Sequence, residues 1–216
     1  MTNDRLQAAV AAELSWDPKV DSKDVTVSAD GGRVTLHGTV TSVRQEREAR
    51  NAARRVYGVA AVSDYLEVRI PGRDTRADAG LRADVRQALA LNGLIPATVQ
   101  ATVAAGVVTL SGVAAWQFQR DEAESACAAV PGVTGVDVAI SLHPALSDGD
   151  IQQAISAAFR RSARLDRFQI SVDCPLPGLV VLSGTVSCWA ERDDAVAAAW
   201  SAPGITCLDD RIAVVC

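Results

Sequence analysis

Val34-Thr35-Leu36-His37-Gly38, Val108-Thr109-Leu110-Ser111-Gly112 and Val180-Val181-Leu182-Ser183-Gly184 are three versions of one phrase. In each copy a second glycine with a β-branched residue after it follows 20 positions later, as Gly58-Val59, Gly132-Val133 and Gly204-Ile205. The phrases are 74 and then 72 residues apart. Solenoid units run about 20–50 residues, so this period points to small domains instead. Length alone suggests one or two domains for 216 residues. The repeats raise that to three, with units at 1–72, 73–145 and 146–216.

Working outward from the glycines, each unit carries the same succession of patterns. Upstream, Leu6, Val10 and Leu14, then Leu81, Val85 and Leu89, then Ile151, Ile155 and Phe159 form apolar stripes at helical spacing. Ser147 and Asp150 approximate a capping box before the third stripe. An alternating strand follows at Val25–Val27, Val99–Val103 or Ile170–Val172. Turns at Asp30-Gly31-Gly32, Ala105-Gly106 and Pro175-Leu176-Pro177-Gly178 join it to the strand of the phrase, which makes a hairpin. Between the two glycines lies a second helix with small residues at matching places: Ala49, Ala53 and Val56; Ala123, Cys127 and Val130; Ala195, Ala199 and Ala202. Gly58, Gly132 and Gly204 are expected at the C′ position of that helix, where a left-handed backbone suits glycine. A last strand alternates at Leu66 and Val68, Ile140 and Leu142, Ile212 and Val214. The order is α-β-β-α-β, three times over, and the fold class is α+β.

These glycines and this order resemble the BON domain family (bacterial OsmY and nodulation) in three tandem copies. The residues that carry the resemblance are the Leu-x-Gly strands ending at Gly38, Gly112 and Gly184, the pairs that begin at Gly58, Gly132 and Gly204, and the closing strands. It extends over essentially the whole chain. The family implies a three-stranded mixed sheet packed by two helices in each module. It also implies a phospholipid-binding or envelope-stress role, with lipid contact on the first helix of a module.

Composition narrows the function classes independently. With 49% apolar and 22% charged residues the chain is ordinary globular material, and no apolar run approaches a membrane span. Thirty-eight alanines stand beside nine aromatics, so the core is aliphatic. The net charge of −5 divides into about 0, −2 and −3 over the three units, from 10 basic and 10 acidic, 5 and 7, and 6 and 9 residues. A nucleic-acid partner is excluded, because none of the units has the basic excess that phosphate contact needs. Lys19 and Lys23 are the only lysines, and neither lies in a phosphate-binding loop. The opening Met-Thr-Asn-Asp-Arg does not resemble a secretory signal, so a cytoplasmic address is expected if the chain is complete and a periplasmic one if a leader has been removed.

Candidate chemistry is sparse. His37 aligns with Ser111 and Ser183 and reads as an exposed strand residue; His143 begins a linker. No nucleophile elbow, zinc motif or dinucleotide fingerprint is present, and the expectation is a non-enzymatic protein with no cofactor or metal. The five cysteines, Cys127, Cys174, Cys188, Cys207 and Cys216, read as small buried thiols, with a Cys174–Cys207 or Cys207–Cys216 bridge left open. Asp121, Glu122 and Glu124, and again Glu191, Asp193 and Asp194, fall near the start of a second helix, where they suit its dipole. The first unit reverses that sign with Arg44, Arg47 and Arg50.

Two features are candidates for contact with anionic phospholipid or a protein partner. Arg160, Arg161, Arg164 and Arg167 gather near Phe168 at the end of a first helix, as helix-dipole partners or as headgroup contacts. Trp116 and Trp189, at the entry to second helices, suit either a membrane interface or packing between units; Trp16 and Trp200 are expected to cover module ends. The leading expectation is stress protection through binding of a lipid surface or protein partner, and the alternative is a cytoplasmic scaffold without lipid affinity. Units this small are marginal alone, so they are expected to lean on one another.

Overall fold

In the computed structural model, residues 2–69, 78–143, 151–162, 165 and 170–215 are described. The first module runs α1 (Asn3–Trp16), β1 (Val25–Asp30), β2 (Arg33–Val40), α2 (Val43–Arg55) and β3 (Ala61–Val68). The second runs α3 (Asp78–Leu91), β4 (Gln100–Ala104), β5 (Val107–Ala114), α4 (Gln117–Ala128) and β6 (Gly135–Leu142). The third runs α5 (Ile151–Arg161), β7 (Ser171–Leu176), β8 (Leu179–Val186), α6 (Trp189–Trp200) and β9 (Cys207–Val214). Each module has one sheet of three strands in sequence order, the first pair antiparallel and the second parallel. The α-β-β-α-β reading and the mixed sheet hold in all three copies. The two linkers, at 70–77 and 144–150, and with them the Ser147–Asp150 pair, lie outside the described residues.

The cores follow the periodicity. Leu6, Val10 and Leu14 are buried on α1, Leu81, Val85 and Leu89 on α3, and Ile155 and Phe159 on α5, while Ile151 is half-buried. They meet the inward residues of the central strands, Val34 and Leu36, Val108 and Leu110, Val180 and Leu182, all fully buried. Each fully buried aliphatic contributes about 1.5–3 kcal/mol, the main favourable term for units this size. On the second helices Ala49, Ala52 and Ala53, Ala123, Cys127 and Ala128, and Ala195 and Ala199 are buried, which lets those helices lie close on the sheets.

The repeated glycines have two different causes. Gly38, Gly112 and Gly184 have φ of 131°, 120° and 141° within a strand. A side chain at Gly38 would collide with the Asp24 carbonyl oxygen, and one at Gly112 with that of Thr98. The hairpin partner crosses the strand too closely for a Cβ. Gly58, Gly132 and Gly204, with φ of 95°, 107° and 94°, do not occupy C′ as expected. The C-caps are Val56, Ala129 and Ser201, and the glycines fall two or three residues further on, in the turn that leads to the last strand. That turn is closed by Val59 N–H to the Val56 carbonyl and Val133 N–H to that of Val130, both at 3.2 Å. Glycine takes the third of four turn positions, with Pro131 and Pro203 in the second.

The hairpins also share a device. Gly31 and Gly32 have φ of 54° and 83°, Ala105 and Gly106 of 51° and 80°. Two positive φ values in a two-residue loop make the turn whose twist matches the strands. Asn3 Oδ1 accepts the Gly31 N–H at 3.1 Å, and the Asp78 carboxylate accepts those of Ala105 and Gly106 at 2.8 and 3.1 Å. The start of the first helix thus pins the hairpin turn in the first and second modules. In the third module the Pro175 turn differs from expectation: β7 continues through Cys174 and Pro175 to Leu176 by a register shift. Pro175 lacks an N–H and is tolerated there because the strand is an edge strand with a bulge.

The three modules meet through their second helices. The repeat offsets of 74 and 72 make Val43, Gln117 and Trp189 equivalent, and likewise Asn51, Ser125 and Ala197. Val43 packs on the core of the second module, and Arg47 donates from NH2 to Ser125 Oγ at 2.9 Å. Gln117 shares a cleft with Ala197, and Trp189 shares one with Asn51. The start of each second helix therefore faces the latter half of the next, with α2 packed on α4, α6 packed on α2, and α4 across a cleft from α6, in a closed ring. Trp200 packs against the cores of the second and third modules at once. It lies between modules, and Trp16 covers nothing, being 84% exposed.

Candidate functional site

The ring brings polar groups of all three modules together. Arg47 NH1 lies 3.7 Å from Glu124, so the basic α2 faces an acidic α4. On the other side the Arg54 guanidinium sits 4.3 Å above the Trp189 ring, and Arg192 lies 4.7 Å from the same centroid, held by Asp210 at 2.8 Å. A cation over an indole contributes about 0.5–2 kcal/mol, more as water is excluded. The indole Nε1 of Trp189 and the Nε of Arg54 are buried and find no hydrogen-bond partner, so the stack holds them. Burial lowers the Arg54 pKa, with Asp193 opposing that shift. Trp189 therefore faces the first module. Trp116 lies at the edge of the α4–α6 cleft.

The dipole role expected of the acidic clusters fits Glu191, in the first turn of α6, and not the acids of α4. Glu191 is the first-turn acid of α6, and its Oε2 accepts the Ser187 N–H at 2.9 Å. The equivalent place holds Gln45 and Gln119, which accept the N–H groups of Thr41 and Ala115. α4 has no acid in its first turn, and Glu122 accepts from Asn92 Nδ2 at 3.1 Å. Asp121 and Asp193 point into the ring, where burial raises the pKa of each. Spacing from a helix start could not reveal this; the sign reversal at Arg47 was the available signal.

Outside the ring, Arg160 and Arg161 are exposed at the end of α5, while Arg164, Arg167 and Phe168 lie outside the described residues. A groove of about 740 Å³ lies beside α3 and β4, lined by Arg82, Arg86, Ile95 and Pro96 among others. Leu91 and Leu94 at its end are 77% and 54% exposed, a surface that no sequence motif marked. His37 is exposed and stacks on Tyr65 across the parallel pair, with centroids 5.1 Å apart. Cys127 is buried, which pushes its thiol up to about 11 and makes it a packing residue. Cys207 is an unbridged exposed thiol, so neither candidate disulfide forms, Cys174 is exposed and Cys188 is only half-buried; among the described cysteines the expectation of buried thiols holds for Cys127, and Cys216 lies outside the described residues. Among the described residues no cluster of His, Cys, Asp and Glu is placed to hold a metal, and no helix is long and apolar enough to cross a membrane.

Comparison with known proteins agrees with the modular architecture. The chain is 35% identical over 141 residues to osmotically-inducible protein Y of Escherichia coli K12, a match that covers 63% of this chain and 70% of that protein. A structure of CdsD, a structural protein of the type III secretion system of Chlamydia trachomatis, aligns over 98% of this chain and 92% of that one at 14% identity. Its TM-score of 0.27 is too low to relate the two arrangements. The BON domain model matches three times, at residues 2–70, 77–144 and 147–216, and the chain belongs to the BON domain family.

Proposed function

We propose that this chain is a non-catalytic stress-protection protein that binds anionic phospholipid through surfaces outside the helix ring. The observation that carries the reading is the pair of exposed leucines, Leu91 and Leu94, beside a groove edged by Arg82 and Arg86. Apolar side chains set among arginines suit a headgroup boundary, where each cation contributes on the order of 1 kcal/mol. Arg160 and Arg161, exposed at the end of α5 in the third module, offer a second pair of cations. The relative's name, osmotically-inducible protein Y, supports a role under osmotic stress.

Cosedimentation with phosphatidylglycerol vesicles at low and high salt tests the proposal. Binding at low salt is expected, weakened by salt and reduced at least fivefold by Leu91→Ser with Leu94→Ser. Arg160→Ala with Arg161→Ala is expected to remove a further two- to fivefold. Absence of binding at low salt overturns the lipid reading and leaves a scaffold whose modules dock to protein or to each other.

A further inference from the structure

The three junctions of the ring have the same backbone design and very different walls. At the α4–α6 junction a cleft of about 470 Å³ is walled by Trp116, Phe118, Trp200 and Val196 and carries Asp121 and Asp193. The repeat offsets place Arg47 where the other helices have Asp121 and Asp193, and Arg44 and Ala190 where α4 has Phe118. The residues equivalent to Trp116 are Ser42 and Cys188. Trp116, Phe118 and Trp200 are therefore not something the ring requires; they gather at one junction, while Asp193 also lines the cleft between α2 and α6.

The two carboxylates are short of partners. Asp121 accepts from Gln117 Nε2 at 2.8 Å, and among the described residues no cation lies within ion-pair distance of either aspartate. Nearby cations are turned elsewhere: Arg47 to Glu124 and Ser125, Arg120 to Gln117, Arg192 to Asp210 and Arg54 onto Trp189. Desolvation holds both carboxyls above their usual range, against the opposing pull of Arg120 and Arg47 on Asp121 and of Arg54 and Arg192 on Asp193. Aromatic faces and carboxylates that are solvent-exposed yet partly desolvated by the cleft together favour a diffuse cation that gives up its water easily and needs no hydrogen-bond acceptors. A small, strongly hydrated metal ion fits such walls poorly. The volume lies within the range of small-molecule sites.

We propose that this cleft binds an organic cation of the methylated or quaternary ammonium class, its charge facing Asp121 and Asp193 and its methyl groups against Trp116, Phe118 and Trp200. Such a group is carried by free small solutes and by choline headgroups alike. The site is separate from the leucine and arginine surface above and does not depend on it.

Titration of the full chain with choline chloride at constant ionic strength, followed by tryptophan fluorescence and calorimetry, tests this. Saturable binding is expected with Kd of about 1 mM or lower. The neutral carbon isostere of choline is expected to bind at least tenfold more weakly. Phe118 is 48% exposed, so Phe118→Ala is tolerated by the fold, and it and Asp121→Asn are each expected to weaken binding about tenfold. Thermal unfolding of both variants confirms that they remain folded. Phosphatidylcholine vesicles separate the sources: cosedimentation lost in Phe118→Ala assigns a lipid headgroup, and choline binding without cosedimentation assigns a free solute. No saturable choline binding, equal affinity for the isostere, or unchanged affinity in both variants overturns the proposal.

Discussion

α2 and α4 occupy the same place in neighbouring modules, end in the same glycine turn and bury the same small-residue face, yet their outer faces carry opposite charge. Arg44, Arg47 and Arg50 on α2 stand where α4 has Phe118, Asp121 and Glu124 and α6 has Ala190, Asp193 and Val196. The difference teaches why a tandem repeat diverges. Three identical modules closed into a ring would set like charge against like at every junction. With one basic and two acidic helices, α2 meets an acidic neighbour on each side, and the α4–α6 junction alone is left with an excess of negative charge.

The shared part of the comparison predicts the largest effect. Gly112→Ala puts a Cβ against the Thr98 carbonyl oxygen in a backbone with φ of 120°, and Gly38→Ala does the same to Asp24. Each should cost about 3 kcal/mol or more in urea unfolding, since backbone strain and steric displacement both enter. A cost below about 1 kcal/mol in either module would show that the close hairpin crossing is not a common requirement.

The divergent part predicts a smaller and more specific effect. Arg47→Glu places like charges at the α2–α4 junction and removes the donor to Ser125 Oγ. The pair is partly exposed, so the expected loss is about 1–2 kcal/mol. Glu124→Arg in the same chain should recover about half or more, read as coupling in a double-mutant cycle. Additive losses would break the idea that the sign reversal is an arrangement between modules.

The smallest effect concerns the unbalanced junction. Because burial raises the Asp193 carboxyl, its folded pKa lies above its unfolded one, and ionisation at neutral pH opposes folding. Asp193→Asn should therefore raise the melting temperature by about 1–2 °C at pH 7. As pH falls through the raised folded pKa the native carboxyl takes up a proton, the penalty disappears, and the advantage of the variant should vanish with it. A gain that persists unchanged in acid would trace the effect to something other than the desolvated charge.

The legibility of these features in the sequence differs by their range. The α1, α3 and α5 stripes were readable because a helix returns a residue to one face every three or four positions, a purely local relation. The six glycines were readable because three copies repeat them, although the place of Gly58, Gly132 and Gly204 in the following turn needed the observed C-caps. Leu91 and Leu94 left no signal, since their exposure depends on how α3 hands over to β4. The acidic residues of α4 and α6 looked like dipole partners because nothing local says that α2 lies across from them. Trp189 could be assigned either to an interface or to packing until Arg54 was found on its ring.

By itself, then, the sequence determined the unit: its element order, its aliphatic core and the positions where no side chain fits. Those follow from periodicity and local backbone geometry, which act within about 70 residues and are repeated three times. Only the tertiary structure decided the ring, the pairing of basic α2 with acidic neighbours and the aromatic cleft at the remaining junction. These join residues such as Arg47 with Glu124 and Phe118 with Trp200, which lie 77 and 82 positions apart. Contact between them is created by the docking of folded units, and no period along the chain encodes it.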